Sequence, residues 1–139
     1  DLDNVIFHPP VNKSKLAELM QGADIGLQLL ANIPAFYYGT SPNKFFDYLA
    51  CGLPVLVNYP GWVADLLDSY DAGYVVKSCS TEEAHKILTQ VAANKSELMN
   101  KGLNARALAE KEFDRDKLFE IWFSKLKTVD RGAKTEASL

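Results

Sequence analysis

Apolar residues in this chain form short continuous runs that alternate with sets spaced three and four positions apart. Continuous runs are typical of buried strands, and spaced sets are typical of helices with one apolar face. The pattern predicts strands at residues 5–7, 24–30, 54–57 and 74–76. It predicts helices at residues 13–21, 42–51, 62–68, 96–111 and 114–128, and a further helix that opens at the capping box 80–83.

Strands that alternate with helices, each strand apolar along its length, indicate an α/β fold. They favour a doubly wound parallel sheet with helices on both faces, followed by C-terminal helices. With 139 residues, 47% of them apolar, the chain fits one domain. We expect this domain to span residues 1–128, with a disordered tail at 129–139, where the apolar period is lost. The chain opens at Asp1 without methionine, so we expect it to be part of a longer protein.

The composition argues against several classes of partner and of site. Fifteen basic and eighteen acidic residues give a net charge of −3, and the two signs are interspersed, which argues against nucleic-acid binding. Cys51 and Cys79 lie far apart without metal-ligand spacing, so neither a metal site nor a disulfide framework is expected. The longest apolar stretch, 23–38, is interrupted by polar residues and Pro34 and does not predict a membrane span. These features favour a reducing, cytoplasmic setting.

The start of the predicted helix at 42–51 is a candidate anion site. The preceding loop has no apolar period, and long unpatterned loops are usually functional or mobile. Ser41 is the predicted N-cap and Pro42 the first helical residue. In parallel α/β sheets, ligands bind beyond the carboxyl ends of the strands, where free N–H groups at helix starts bind phosphate. Asn43 and Lys44 would present those groups, and a bound phosphate would offset the unfavourable position of the Lys44 cation at this end of the helix dipole.

Asp47 extends this candidate site along the helix. It follows Asn43 by four residues, so the two side chains share a helix face and lie about 6 Å apart along the axis. A carboxylate accepts two hydrogen bonds and suits the cis-diol of a ribose. A purely structural interpretation is equally open at this point, because the dipole alone favours an aspartate near a helix start.

A longer stretch around this helix resembles a known signature. Residues 42–55 read Pro-Asn-Lys-Phe-Phe-Asp-Tyr-Leu-Ala-Cys-Gly-Leu-Pro-Val. They resemble family 4 retaining glycosyltransferases with the GT-B fold, in the branch with a Pro-x-Lys-x-x-(Asp/Glu)-Tyr core. The likeness continues in order through residues 5–7, 23–27 and 73–76. It implies one half of a GT-B enzyme, namely the Rossmann-like domain that holds a nucleotide-sugar donor.

The resemblance also implies roles for single residues. Asp47 takes the place of the family's ribose-binding glutamate, the amides of Asn43 and Lys44 hold the diphosphate, and His8 borders the nucleobase. The loop around Tyr37, Tyr38, Gly39 and Thr40 borders the sugar. The predicted substrate-binding residues are His8, Gly39, Thr40, Ser41, Pro42, Asn43, Lys44 and Asp47.

One position departs from the family pattern. The family has a second acidic residue earlier in the loop, and the corresponding position here is Gly39. No carboxylate at this position can touch the donor sugar, which we interpret as variation within the branch that leaves the sugar undefined. The Arg and Lys that neutralise the diphosphate in the family would lie before residue 1, as would the acceptor-binding domain.

The sequence therefore predicts a glycosyltransferase domain for polysaccharide or glycoconjugate synthesis, inactive by itself. The expected donor is a UDP- or GDP-linked sugar, with no metal or other cofactor. An N-terminal domain would hold the acceptor, at the inner face of the membrane if the acceptor is lipid-linked. The alternatives are a non-catalytic Rossmann-like nucleotide-binding or regulatory module, and a degenerate transferase that acts as a scaffold.

Several other residues have both a functional and a structural interpretation. Phe36, Tyr37 and Tyr38 form either a platform for a sugar ring or a loop packed on the core. His85 is expected at the surface. By the family's pattern, Trp122 and Phe123 lie on a terminal helix that packs toward the missing domain.

Overall fold

Three short parallel strands form the sheet in the computed structural model of the chain, which describes residues 2–76 and 80–136, with side chains through residue 128. Helices connect and follow the strands. The elements in chain order are α1 (Lys13–Gln21), β1 (Gly26–Gln28), α2 (Ala35–Gly39), α3 (Asn43–Ala50), β2 (Val55–Val57), α4 (Trp62–Tyr70), β3 (Gly73–Val75), α5 (Thr81–Ala93), α6 (Lys95–Glu112) and α7 (Arg115–Glu136).

The strands lie side by side in the order β1-β2-β3, with Gly26 opposite Val55 and Val55 opposite Gly73. A parallel pair needs a crossover between its strands, and α3 and α4 supply the two crossovers. The predicted α/β class, with a Rossmann-like parallel sheet flanked by helices, is confirmed.

The core lies between the sheet and helices α3, α4 and α6. α3 and α4 lie on one face of the sheet, since buried residues of both helices form one cluster with Val55 and Val57. Val55 and Val57 on that face are fully buried together with Phe45, Leu49 and residues of α4 and α6. β2 is buried on both faces, whereas Leu27 of β1 is 41% exposed, so the expectation that every strand is covered on both sides is wrong for β1.

Close backbone contacts fix α3 relative to its neighbours. Gly52 ends the α3 turn with φ +71 and lies against α6, where a Cβ on Gly102 would come within 2.6 Å of the Gly52 carbonyl oxygen. A Cβ on Gly26 would lie 2.5 Å from the Tyr48 ring, so the missing side chain lets α3 pack directly on β1. Glycine at these positions therefore holds α3 in place and determines where its N-terminus points.

The helix boundaries follow local capping signals closely. Asn12 caps α1 by accepting a 2.9 Å hydrogen bond from the Lys15 N–H, and α1 covers the predicted residues. Ser80 caps α5 by accepting a 3.2 Å bond from the Glu83 N–H, as the capping box predicts. Helix α4 continues two residues past its predicted end, to Tyr70, before Asp71 takes a left-handed conformation.

The predicted first strand at residues 5–7 is wrong. These residues form no strand, and Ile6 and Phe7 are 77% and 92% exposed. A run of apolar residues becomes a strand only when a neighbouring strand accepts and donates its hydrogen bonds. In the described part of the chain no such neighbour lies beside residues 5–7.

Two further segments differ from the prediction. The strand predicted at 24–30 is shorter, because only Gly26–Gln28 pairs with β2. The loop expected to lack structure contains α2, which starts after Pro34 in a helical conformation. The proline ring fixes φ near its helical value and so favours a helix start.

The C-terminal helix α7 runs to Glu136, past the predicted end at Thr128. Residues 129–136 contain no proline, the residue that most strongly interrupts a helix. The domain boundary at 128 stays a prediction. Trp122 lies on α7 and is 57% exposed. Apolar residues near it on the helix, such as Phe119 and Ile121, are exposed as well. None of the helices in the described ranges is both long and apolar enough to cross a membrane.

Candidate functional site

The loops that follow β1 and β2 meet at the carboxyl edge of the sheet. The Asn58 side chain, directly after β2, accepts a 2.9 Å hydrogen bond from the Leu30 N–H. Its amide nitrogen donates a second 2.9 Å bond to the Leu30 carbonyl oxygen. One asparagine thus satisfies both backbone groups of Leu30 and ties the two strand-end loops together.

The segment 31–42 packs on the start of α4. The Tyr37 ring stacks on the Tyr59 ring, with centroids 6.3 Å apart and planes 14° from parallel. Gly61 has φ +124, and a Cβ there would lie 2.3 Å from the Tyr37 carbonyl oxygen, so only glycine lets the segment come this close. The Trp62 indole nitrogen donates a 3.0 Å bond to the Thr40 carbonyl oxygen. These contacts determine where the chain enters α3.

The entry to α3 differs by one residue from the prediction. Pro42 is the N-cap, with φ −78 and ψ 123, and the helix begins at Asn43 without a side-chain cap. The prediction of Ser41 as N-cap and Pro42 as the first helical residue is therefore wrong, because Pro42 keeps an extended ψ. Within the described ranges the N–H groups of Asn43 and Lys44 have no hydrogen-bond partner, and both residues are exposed. This helix start presents two unpaired donors to solvent.

Asp47 lies in a groove between α1 and α3. The groove has a volume of about 210 Å³, and Lys13 at the start of α1 lines it together with Asp47. Asp47 as a whole is partly buried. One wall is apolar and includes Leu16 and Met20 of α1. A cation and an anion thus flank a small apolar-walled space one turn from the start of α3.

His8 lies in an adjoining groove of about 520 Å³, beside Pro9 and Pro10. Leu16 and Met20 line this groove as well as the one that contains Asp47. Tyr48 forms part of its wall, and burial, followed by the Asp47 charge, raises the pKa of the Tyr48 hydroxyl. The grooves that contain His8 and Asp47 therefore adjoin each other, whereas Asn43 and Lys44 line neither of them.

Gly39 and Thr40 lie apart from these grooves. The Thr40 hydroxyl donates a 2.6 Å bond to the Phe36 carbonyl oxygen, and its own carbonyl accepts the Trp62 bond. A Cβ at Gly39 would meet nothing within 4 Å, so this position faces open space at the end of α2. Ser41 is exposed between them and the helix start.

Phe36, Tyr37 and Tyr38 were predicted either to form a sugar platform or to pack on the core, and they differ in their burial. Tyr37 packs against the core through Tyr59, whereas Phe36 and Tyr38 are 46% and 72% exposed. A loop-packing role is therefore confirmed for Tyr37 alone. His85 is exposed on α5, as predicted.

A cavity larger than either groove lies elsewhere. It has a volume of about 580 Å³ and lies beside α6 at the amino ends of β1 and β2, where Asp24 and Pro54 precede the strands. Ligands of parallel sheets bind at the carboxyl ends. Cys51 also borders this cavity, with its thiol 3.8 Å from the Met20 sulfur, while Cys79 lies outside the described residues. Size alone therefore does not identify the site.

Two buried polar residues at the carboxyl edge were not singled out from the sequence. Gln28 ends β1 and is 2% exposed, and Tyr59 follows β2 and is 1% exposed. Burial raises the pKa of the Tyr59 hydroxyl, and the neighbouring Gln28 amide partly offsets this rise. The feature of the sequence that could have identified Gln28 is a polar residue within the otherwise apolar run 25–30.

A comparison with known proteins identifies the family of the chain. The model of the glycosyl transferase-like family matches residues 1–122. No curated protein matches the chain. The matched range contains the three strands, the two grooves and the start of α3. Since the match extends over most of its length, the chain belongs to the glycosyl transferase-like family.

Proposed function

We propose that this chain is the donor-binding half of a family 4 retaining glycosyltransferase with the GT-B fold, and that it binds a UDP- or GDP-linked sugar. One observation carries the proposal. Asp47 follows the two free N–H groups of α3 by one helical turn, and its groove shares Leu16 and Met20 with the groove that contains His8. The three parts match, in order, the diphosphate, the ribose and the base of a nucleoside diphosphate.

The diphosphate binds at the start of α3. Asn43 and Lys44 offer two unpaired N–H groups at the positive end of the helix dipole. The exposed Lys44 side chain adds a cation in the first turn, and Lys13 lies across the neighbouring groove. Without an anion this concentration of positive charge at a helix start is unfavourable, and with one it becomes favourable.

The nucleoside lies in the two grooves beside α1. Asp47 accepts hydrogen bonds from the ribose hydroxyls, as acidic residues do in dinucleotide-binding folds. The apolar wall formed by Leu16 and Met20 continues to His8, which borders the base. A planar base suits such an apolar slot, because its faces pack on the walls while its polar edges can form hydrogen bonds at the rim.

The chemical role of this domain is to stabilise the departing nucleoside diphosphate. Negative charge develops on the leaving phosphate in the transition state, and fixed N–H dipoles and cations aimed at that charge lower the barrier. The start of α3 and Lys44 supply this stabilisation. The acceptor binds to a second domain across the sugar.

Donor binding in this proposal needs no metal ion, since the helix start and lysines meet the phosphate charge. We expect the dissociation constant for UDP or GDP to be the same with magnesium and with excess EDTA. A loss of affinity on chelation would show that a metal bridges the phosphates and that the charge assignment is incomplete.

Isothermal titration calorimetry with UDP and GDP tests the proposal. Asp47→Ala removes hydrogen bonds to a charged acceptor, so we expect it to weaken binding about 10- to 100-fold. Asp68→Ala is the matched control, because Asp68 is an exposed helical aspartate of α4. Equal affinity in the two variants would remove Asp47 from the site, and absence of binding by the unmodified chain would overturn the proposal.

A further inference from the structure

Two buried side-chain oxygen atoms lie at the carboxyl edge of the sheet, one in Gln28 and one in Tyr59. The Gln28 side-chain oxygen and the Tyr59 hydroxyl are inaccessible to solvent, and neither makes a well-formed hydrogen bond with any described residue. The two groups are neighbours, since the Gln28 amide acts on the Tyr59 hydroxyl. An unsatisfied buried polar atom costs about 1–3 kcal/mol, so a pair of them in one place calls for an explanation.

The position of the pair is informative. Gln28 ends β1 and Tyr59 lies two residues beyond β2, so both are at the edge where parallel sheets bind ligands. α3, whose N-terminus would hold the diphosphate, connects β1 to β2. Tyr37 of α2 covers Tyr59, and the same segment leads directly into α3.

We infer that Gln28 and Tyr59 are specificity-determining residues that bind hydroxyl groups of the donor's sugar. This inference rests on the proposed function, because it places the sugar next to the diphosphate at the start of α3. The two side chains are neutral, so they suit hydroxyl groups better than phosphate. Glutamine and tyrosine each donate and accept hydrogen bonds, as does every sugar hydroxyl.

The sugar reaches these groups when segment 31–42 shifts. The segment is exposed along most of its length and contains only the five-residue α2. It is attached to the rest of the chain by the Tyr37–Tyr59 stack, the Trp62–Thr40 hydrogen bond and the close contact of the Tyr37 carbonyl with Gly61. The sugar would replace the Tyr37 cover and provide the missing hydrogen bonds.

The measurement is the affinity of each donor relative to its own nucleoside diphosphate. UDP-glucose, UDP-galactose and UDP-N-acetylglucosamine are compared with UDP, and GDP-mannose with GDP, by calorimetry. We expect at least one sugar to bind more tightly than its nucleoside diphosphate. In Tyr59→Phe and Gln28→Leu this gain falls about 3- to 10-fold, the effect of one lost hydrogen bond, while binding of UDP or GDP is unchanged.

Tyr74→Phe is the matched control. The Tyr74 hydroxyl is also buried without a well-formed hydrogen bond, but Tyr74 belongs to β3, which does not pair with β1, and its ring lies 5.0 Å from the Lys101 amine on α6. We expect Tyr74→Phe to change neither the affinity for UDP or GDP nor the gain in affinity that the sugar provides. A second readout is stability: Tyr59→Phe and Gln28→Leu remove unsatisfied polar atoms, so urea midpoints stay equal or rise. A purely structural role predicts lower midpoints and an unchanged sugar gain.

The outcomes separate the two proposals. If UDP and GDP do not bind, the proposed function fails, and the inference fails with it. If either nucleotide binds but no sugar adds affinity, or if both variants keep the full gain, the inference alone is overturned. Loss of nucleotide and sugar binding in equal measure would place the two residues in a structural role and would also overturn the inference.

Discussion

The Trp62 indole nitrogen donates a 3.0 Å hydrogen bond to the Thr40 carbonyl oxygen, across 22 residues of sequence. The same ring meets Phe45 edge-on, with centroids 5.8 Å apart. Trp62 therefore joins the first residue of α4 to the core face of α3 and to the segment that leads into α3. It contributes to fixing the helix start at which we place the diphosphate.

Replacement of Trp62 by phenylalanine removes that hydrogen bond and part of the ring packing. We expect Trp62→Phe to lower the free energy of unfolding by about 1–3 kcal/mol, measured by urea denaturation. Trp122→Phe is the control, because Trp122 is 57% exposed on α7. Its effect should stay within about 0.5 kcal/mol. Equal effects in both variants would mean that the Thr40 contact does not stabilise the fold.

The close contact between α6 and the Gly52 turn gives a second prediction. A Cβ at position 102 would lie 2.6 Å from the Gly52 carbonyl oxygen, so one backbone must move. We expect Gly102→Ala to destabilise the chain by about 1–3 kcal/mol despite the better helix propensity of alanine. Gly22→Ala is the control, since its Cβ would meet an ordinary 3.6 Å contact. A Gly102→Ala variant as stable as the parent would contradict the observed helix spacing.

The helices could be predicted from sequence because their signals are local. Asn12 and Ser80 each accept a hydrogen bond from a residue three positions ahead, so the cap can be identified without knowing the fold. Strands depend on distant partners. Residues 5–7 and 55–57 are equally apolar, but only the second run has a strand on each side.

The candidate site could be predicted only where it is continuous in sequence. Asn43, Lys44 and Asp47 lie on one helix, so their spacing sufficed to place them together. The groove between Lys13 and Asp47 depends on how α1 packs on α3. The Gln28–Tyr59 pair likewise joins the ends of two strands. Contacts of this kind depend on tertiary packing and leave no local signal in the sequence.

Tyr74 provides a test in alkaline solution. Burial and then the neighbouring acidic groups raise the pKa of the Tyr74 hydroxyl from 10.0 to about 12. The unfolded chain therefore loses this proton first, and stability falls as the pH rises from about 10 towards 12. We expect Tyr74→Phe to reduce that fall, measured as urea midpoints from neutral pH upward. An identical pH dependence in both proteins would contradict the assigned environment of Tyr74.

Gly39 provides a test of the open space at the end of α2. Because a Cβ there meets nothing within 4 Å, Gly39→Glu should fold with unchanged or slightly raised stability, since glutamate favours helices over glycine. Urea denaturation checks this expectation. A loss of more than about 1 kcal/mol would show that position 39 is more crowded than the structure indicates.

The binding of a nucleoside diphosphate at the start of α3 is the central claim, and amide chemical shifts test it most directly. The ¹⁵N-labelled chain is titrated with UDP, GDP and ADP. The account predicts saturable shifts of the Asn43 and Lys44 amides for at least one nucleotide, and a weaker response at equal concentration in Asp47→Ala. If these two amides do not move at millimolar concentrations of all three nucleotides, the claim is contradicted.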